Sequence, residues 1–288
     1  MFLTKLFFSF QFSKSDLGVH IDGHIALVAH TVVLGASAER LITGVFADTI
    51  LAAHHAAEIA VRMIKPGVSN SAVSAELERV AATFGVKAIT GVTSHQLQQF
   101  VIEGPKKIAL QRDPENKTAE CVFAANETYA IDVCFSSGDG KPRETVTRTT
   151  IFKRTVDVSY HPKMKASQKL FNDVRAKHPT LPFTLRSLGD ERDAKLGVTE
   201  CVKHGLFGAY PVNYERDGSV VAHFRFTVLL LPGGTQKVTG LDAPEFVTSE
   251  KVLSPESAVI RASIPYVAKA KKEKAAAAPV AAADIVMN

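Results

Sequence analysis

Cysteine is scarce in this chain and follows no pattern: Cys121, Cys134 and Cys201 are the only three in 288 residues, an odd number with no CxxC spacing. That excludes a disulfide framework and a zinc knuckle, and it fits a reducing compartment. Long apolar runs are missing too, and nothing approaches the roughly 18 consecutive apolar residues of a membrane span. The opening MFLTKLFFSFQF has one lysine and a short aromatic run, but Gln11 interrupts it and no small-residue cleavage site follows. It reads as a strand over Leu6–Phe12 leading into Asp16, not as a signal peptide. A phosphate-binding loop is absent as well. Gly138, Gly140 and Lys141 sit close together in SSGDGKP, but the four-residue spacer and the following Ser/Thr helix start are lacking, so a turn is the better reading. No internal repeat is evident.

What is present is an ordinary globular composition, 46% hydrophobic and 22% charged, enough for one large domain or two smaller ones. The net charge of +5 is unevenly placed. Lys141–Lys177 holds ten Lys/Arg against three Asp/Glu, and Arg261–Lys274 five against one, which leaves the remainder net acidic. Basic residues segregated in this way suit an anionic partner at one face, because clustered Lys/Arg gain from counterion release on nucleic acid.

Taken in order, Ser15–Thr31 predicts a hairpin turning at Asp22-Gly23, where both residues tolerate positive φ. By strand alternation His20, His24 and His30 fall on one face with Asp16 and Asp22, in packing or surface roles. Asp48–Lys65 predicts an alanine-rich helix stopped by Pro66-Gly67, and a second helix runs from Asn70-Ser71 to Phe84 before Gly85. His54 and His55 are adjacent in the first helix and so cannot form an i,i+4 metal pair. Ala88–His95 and Ile102–Leu110 read as extended and 111–118 as a polar excursion. Glu127–Phe135 and Thr145–Phe152 are expected to pair across SSGDGKP. Helices follow over 162–177 and Glu191–Leu206, then an extended Val212–Glu215 and a strand over Val220–Leu231 that puts His223, Arg225 and Thr227 on one face and Phe224, Phe226 and Val228 on the other. The Ala-rich end after Lys269 is low-complexity and predicts a basic, flexible tail over 261–288.

The words DLGVHIDGHIALVAHT, TSHQLQQFVIEGPK, ETYAIDVCFSSGDGK, PFTLR, VTECVKHGL and HFRFTVLLLPGG, in this order, closely resemble the proliferation-associated, ErbB-receptor-binding protein family, non-catalytic relatives of type-two methionine aminopeptidases. The resemblance runs from about Lys14 to Lys274. It implies an α/β pita-bread fold, the creatinase/aminopeptidase type, in which two pseudo-symmetric halves clasp a central cleft. Asp16 stands nearer the start than the family pattern has it, which implies that part of the N-terminal half is lacking and that strand edges and apolar faces are exposed. The expected organisation is a lead-in strand over 1–15, an incomplete pita-bread domain over 16–260 with a basic insert-like region about 160–210, and the tail.

The enzymes of this fold hold two divalent metals with two Asp, one His and two Glu. Matched to that motif, Asp16 takes the first Asp position, Leu27 the second, His95 the His, Asp132 the first Glu and Arg225 the last. Asp16 and Asp132 keep two of four carboxylates, Leu27 offers only methyl groups, and Arg225 adds a permanent positive charge that can pair with either acid. Without a metal to lower the pKa of bound water towards neutrality, no hydroxide is available at neutral pH. The reading is a pseudo-enzyme without cofactor. The resemblance implies binding to structured RNA and to the large ribosomal subunit, translational and growth control, regulatory protein partners, no membrane association, a monomer, and a cytoplasmic location with a nuclear or nucleolar pool. Phosphate contacts fall to Lys163, Lys165, Lys169, Arg175, Lys177, Arg186, Arg192, Lys195 and Lys203, and in the tail to Lys269, Lys271, Lys272 and Lys274. Two other readings stand beside it: an active metallo-aminopeptidase with an unusual metal site, and a protein-binding nuclear signalling scaffold.

Overall fold

The computed structural model describes residues 11–112 and 117–263. Strands β1 (Gln11–Ile21) and β2 (His24–Leu34) lead into helices α1 (Gly44–Met63) and α2 (Asn70–Phe84). Then come β3 (Lys87–Ala88), β4 (Thr93–Leu97), β5 (Lys107–Ala109), β6 (Glu127–Ser136), β7 (Arg143–Glu144) and β8 (Ile151–Arg154). Helix α3 (Lys165–Lys177), strand β9 (Phe183–Thr184), helix α4 (Glu191–Lys203), and strands β10 (Phe207–Tyr210), β11 (Asn213–Tyr214), β12 (Val221–Leu231) and β13 (Gly234–Lys237) follow, with α5 (Pro255–Ala262) last.

An antiparallel sheet runs β1-β2-β12-β6-β4-β5, with β13 on β12 and β3 on β6. Alternation along β12 turns Phe224, Phe226 and Val228 towards α1, where they join Ile50, Ala53, Ala57 and Val61 in the main core. Helix α1 is buried on nearly every side because the sheet lies beneath it and α2 and α5 pack behind it, and small alanines let those neighbours approach. Ser69 caps α2 by accepting from the Ala72 amide at 3.3 Å, and Gly85 ends it at a φ of +64° that favours glycine. A second core holds the basic region together: β10-β8-β9 and helices α3 and α4 enclose Phe152, Leu170, Val174, Phe183, Val198, Cys201 and Phe207.

Three expectations change. Glu127–Phe135 does not pair with Thr145–Phe152: β6 is buried at almost every position, and β12 and β4 fill its two edges, while β8 belongs to the smaller sheet. The SSGDGKP loop is held by Glu215 instead, which accepts from the Gly140 amide at 2.9 Å. The three histidines do not share a face either. The two-residue turn pairs Asp16 with Ala29 and Ser15 with His30, so residue parity flips between the strands. His20 stays with Asp16, whereas His24 and His30 lie opposite, and His30 packs edge-on to Phe224 at 4.9 Å. Finally, the helices begin or end two to four residues from the sequence reading: α1 opens at Gly44, α3 at Lys165, and α4 closes at Lys203. Strand β1 crosses Asp16 unbroken, and Leu6–Phe10 lie outside the described residues.

Candidate functional site

Strand register brings the acidic and basic positions together. Arg225 on β12 stands between Asp132 on β6 and Ala29 on β2, and Ala29 is the partner of Asp16 on β1. All of these side chains therefore rise from the sheet face opposite α1. The Arg225 guanidinium donates to Asp132 through Nε at 2.8 Å and through Nη2, and to the Asp16 carboxylate through Nη1 at 3.2 and 3.3 Å. One cation thus ties two carboxylates on strands that are not neighbours.

Asp132 is buried and has a second partner, His223, whose Nε2 donates to its other oxygen at 2.5 Å. Burial alone would raise the pKa of that carboxyl. Arg225 and His223 together outweigh burial, and the group is held well below the ordinary carboxylate range. His223 is pushed down by its own burial and stays neutral. The Ser94 hydroxyl accepts from the Asp132 amide at 2.8 Å, and fixes the strand beneath it.

The seam between β2 and β12 is stitched by threonines. Only Arg225 and Ala29 are paired along it, and the Thr227 hydroxyl fills the gap by accepting from Leu27 N at 2.7 Å and donating to Leu27 O at 2.9 Å. Thr31 does the same for the His223 amide and carbonyl at 2.8 and 3.1 Å. Leu27 itself is buried against Leu97 and Ala130. Its methyl groups occupy the position between Gly18 and the neighbouring strand, where a Cβ on Gly18 would meet Leu27 Cδ2 at 2.9 Å.

His95 on β4 lines the same cleft. Its Nδ1 donates to the Thr93 carbonyl at 3.2 Å, which leaves Nε2 as a buried acceptor with no hydrogen-bond partner among the described residues. Burial lowers its pKa, so the ring is neutral. The cleft, about 720 Å³, is lined by Ile25, Leu27, Ile102, Leu181 and Tyr210 around Asp16, His95 and Arg225.

These residues do not fit a two-metal centre. Both oxygens of Asp132 are engaged by cationic or N–H donors, the guanidinium lies between the two carboxylates, and Leu27 brings no donor atom. Among the described residues no group of three or more His, Cys, Asp or Glu is gathered as a metal would need.

The basic candidates divide. Lys169 is ion-paired to Asp193 at 3.2 Å and Lys195 to Glu191 at 2.6 Å, while Arg175 lies over the Phe171 ring. Lys163, Lys165, Lys177, Arg186, Arg192 and Lys203 are exposed and form no ion pair among the described residues. Lys269, Lys271, Lys272 and Lys274 lie outside those residues. The sequence reading missed His223, although its place two residues before Arg225 on one strand face was the signal. It also missed Glu103 and Tyr210, which meet at 3.2 Å beside the cleft and carry no local motif.

Residues 11–144 match the model of metallopeptidase family M24. The chain is 48% identical over 227 residues to ERBB-3 binding protein 1 of Solanum tuberosum, covering 78% of this chain and 58% of that protein. It is 40% identical over 276 residues to proliferation-associated protein A of Dictyostelium discoideum, covering 96% and 71%. A solved structure of a thermophilic Arx1 superposes with a TM-score of 0.79 at 30% identity, covering 88% of this chain and 73% of the other. The chain thus spans less than two thirds of the length of the potato relative.

Proposed function

Since this chain belongs to the family of the proliferation-associated and ERBB-3 binding proteins, with the pita-bread fold of the M24 metallopeptidases, we propose that it is a non-enzymatic protein that associates with structured RNA and the large ribosomal subunit in translational and growth control. The observation that carries the non-enzymatic half of this reading is the Arg225 bridge. A guanidinium is not deprotonated at any working pH, so the cleft keeps a fixed cation where the aminopeptidase chemistry would place divalent ions. The rival, a metallo-aminopeptidase with an unusual site, is tested by metal analysis of the purified protein together with a peptide-release assay. Stoichiometric metal with turnover abolished by chelation would establish the rival.

The binding half rests on the exposed cations of α3, α4 and the segment between them. Lys163, Lys165, Arg186, Arg192 and Lys203 are exposed and form no ion pair among the described residues, which leaves them able to meet phosphates, contacts that position a protein without reading sequence. Lys165→Glu, Arg186→Glu and Arg192→Glu together are expected to weaken cosedimentation with ribosomes and to flatten its salt dependence, by roughly 0.7–0.9 in the log-log slope for each phosphate contact removed. Lys169→Glu and Lys195→Glu, made as controls, are expected to do less because those lysines already neutralise Asp193 and Glu191. Equal cosedimentation of all variants at every salt concentration would remove the ribosome from this reading.

A further inference from the structure

The second core carries a ring stack on its outside. Tyr160 and His204 lie face to face, their ring centroids 3.9 Å apart and their planes 8° from parallel. Tyr160 is half-buried and leans on the core, whereas His204 is exposed, so one face of the imidazole is covered by the phenol and the other is presented outward. The ring is not needed to finish the helix. His204 follows the last residue of α4, and backbone alone completes that end: its amide donates to the Glu200 carbonyl at 3.1 Å and the Gly205 amide to the Val202 carbonyl at 3.0 Å.

The two rings come from separate segments, and one carboxylate joins them. Glu200, in the last turn of α4, accepts from the Lys163 and Met164 amides at 2.7 and 3.1 Å and from the Tyr160 hydroxyl at 3.4 Å. The stack is thereby fixed before anything binds, and a planar ligand that meets it loses little ordering entropy.

Charge narrows the ligand class. Lys203 adjoins His204 in the chain and Lys163 follows Tyr160 by three residues, and both are exposed. The outer face of α4 continues the pattern: Arg192, Leu196, Thr199 and Lys203 are exposed at i, i+4, i+7 and i+11, one stripe about 16 Å long with a cation at each end. A flat ring bordered by cations suits a nucleic-acid base, whose π-face stacks while its flanking phosphates meet the lysines. We propose that His204, backed by Tyr160, is a stacking platform for an unpaired RNA base, with the strand continuing along the Arg192–Lys203 stripe of α4. The inference rests on the RNA association proposed above and names what the site takes from that RNA, a splayed base and not a duplex.

An RNA hairpin with iodouracil in its loop, and a blunt duplex of the same stem, test this on the full chain. Ultraviolet cross-linking of the hairpin, mapped by mass spectrometry, is expected to attach the loop base to Tyr160 or His204. His204→Ala is expected to lose the cross-link and to weaken hairpin binding by about tenfold, the worth of one base–aromatic stack, with duplex binding and the circular dichroism spectrum unchanged. His204→Phe should restore both the cross-link and the affinity, because any aromatic face serves. A cross-link that maps elsewhere, hairpin affinity that His204→Ala does not move, or hairpin and duplex affinities that fall together overturns the platform and leaves RNA association standing. Binding to neither RNA overturns both.

Discussion

Arg225 is the residue on which the cleft turns, and its removal separates a structural role from a vestigial one. Asp132 is buried with Arg225 and His223 as its partners, so Arg225→Leu leaves a buried carboxylate with only a neutral imidazole donor. Breaking a buried pair from one side costs about 3–5 kcal/mol, whereas replacing both sides by apolar groups costs much less. Urea unfolding is expected to show Arg225→Leu destabilised by about 3 kcal/mol and the Asp132→Leu, Arg225→Leu double variant closer to the wild type. Equal losses in the two would mean that the bridge is not what stabilises the fold. A second residue sets the acid limit. His54 on α1 is buried against Phe224 and Phe226 with neither ring nitrogen hydrogen-bonded among the described residues, and burial pushes its pKa from 6.5 down to about 3. Between those values the unfolded chain binds a proton that the folded chain refuses, so stability falls as pH falls through that window, by up to about 1.4 kcal/mol per pH unit from this group. His54→Leu should flatten the slope of unfolding free energy between pH 6 and 4 relative to wild type. An unchanged slope would assign the acid sensitivity to the other buried histidines, His30, His55, His95 and His223, whose pKa values burial also lowers.

At the scale of elements, the helix pair α3–α4 depends on one close approach. The Gly197 carbonyl accepts from Ser167 Oγ at 3.1 Å, and a Cβ at Gly197 would meet the Ala166 carbonyl oxygen at 2.7 Å and Ser167 Cα at 3.0 Å. Both contacts are backbone and cannot swing away. Gly197→Ala favours the isolated helix but forces the pair apart, and a net loss of about 2 kcal/mol, read by thermal melting, is expected. A stabilised variant would show that the pair can shift as a body. Elements of this kind were legible in the sequence: the 3.6-residue periodicity located α1 to α4, and the Asp22-Gly23 turn fixed the first hairpin. The Arg225, Asp132 and Asp16 convergence followed from matched local words and not from spacing, since 209 residues separate Asp16 from Arg225. Strand partnership was not legible. Adjacency in the chain suggested β6 with β8, but β6 is buried on both faces and takes its neighbours from β4 and β12. The histidine faces were misjudged because alternation was carried through a turn that inverts it, a geometric fact that only the register supplies.

The two larger apolar cores among the described residues are of unequal size, and the candidate chemistry is divided between them. The cleft with Asp16, Asp132 and Arg225 stands on the large sheet, backed by α1 and α2, while the exposed cations ride on the smaller core around Phe152, Val174 and Phe207. A face that meets an irregular polyanion gains from some give, and a cleft locked by a buried ion pair does not. The smaller core buries far fewer large side chains, its sheet strands are two to four residues long, and α3 and α4 bury only three and four of their thirteen residues. Local opening free energy follows buried apolar contact, so the amides of α3 and α4 are expected to exchange with solvent deuterium at least about tenfold faster than those of β6 and β12. Gly197→Ala should speed exchange in α3 and α4 and leave β6 and β12 unchanged, because its contacts lie wholly within the smaller core. Exchange at one common rate in both regions, shifted together by Gly197→Ala, would instead make the two cores one cooperative unit, and the cation-bearing face as rigid as the cleft.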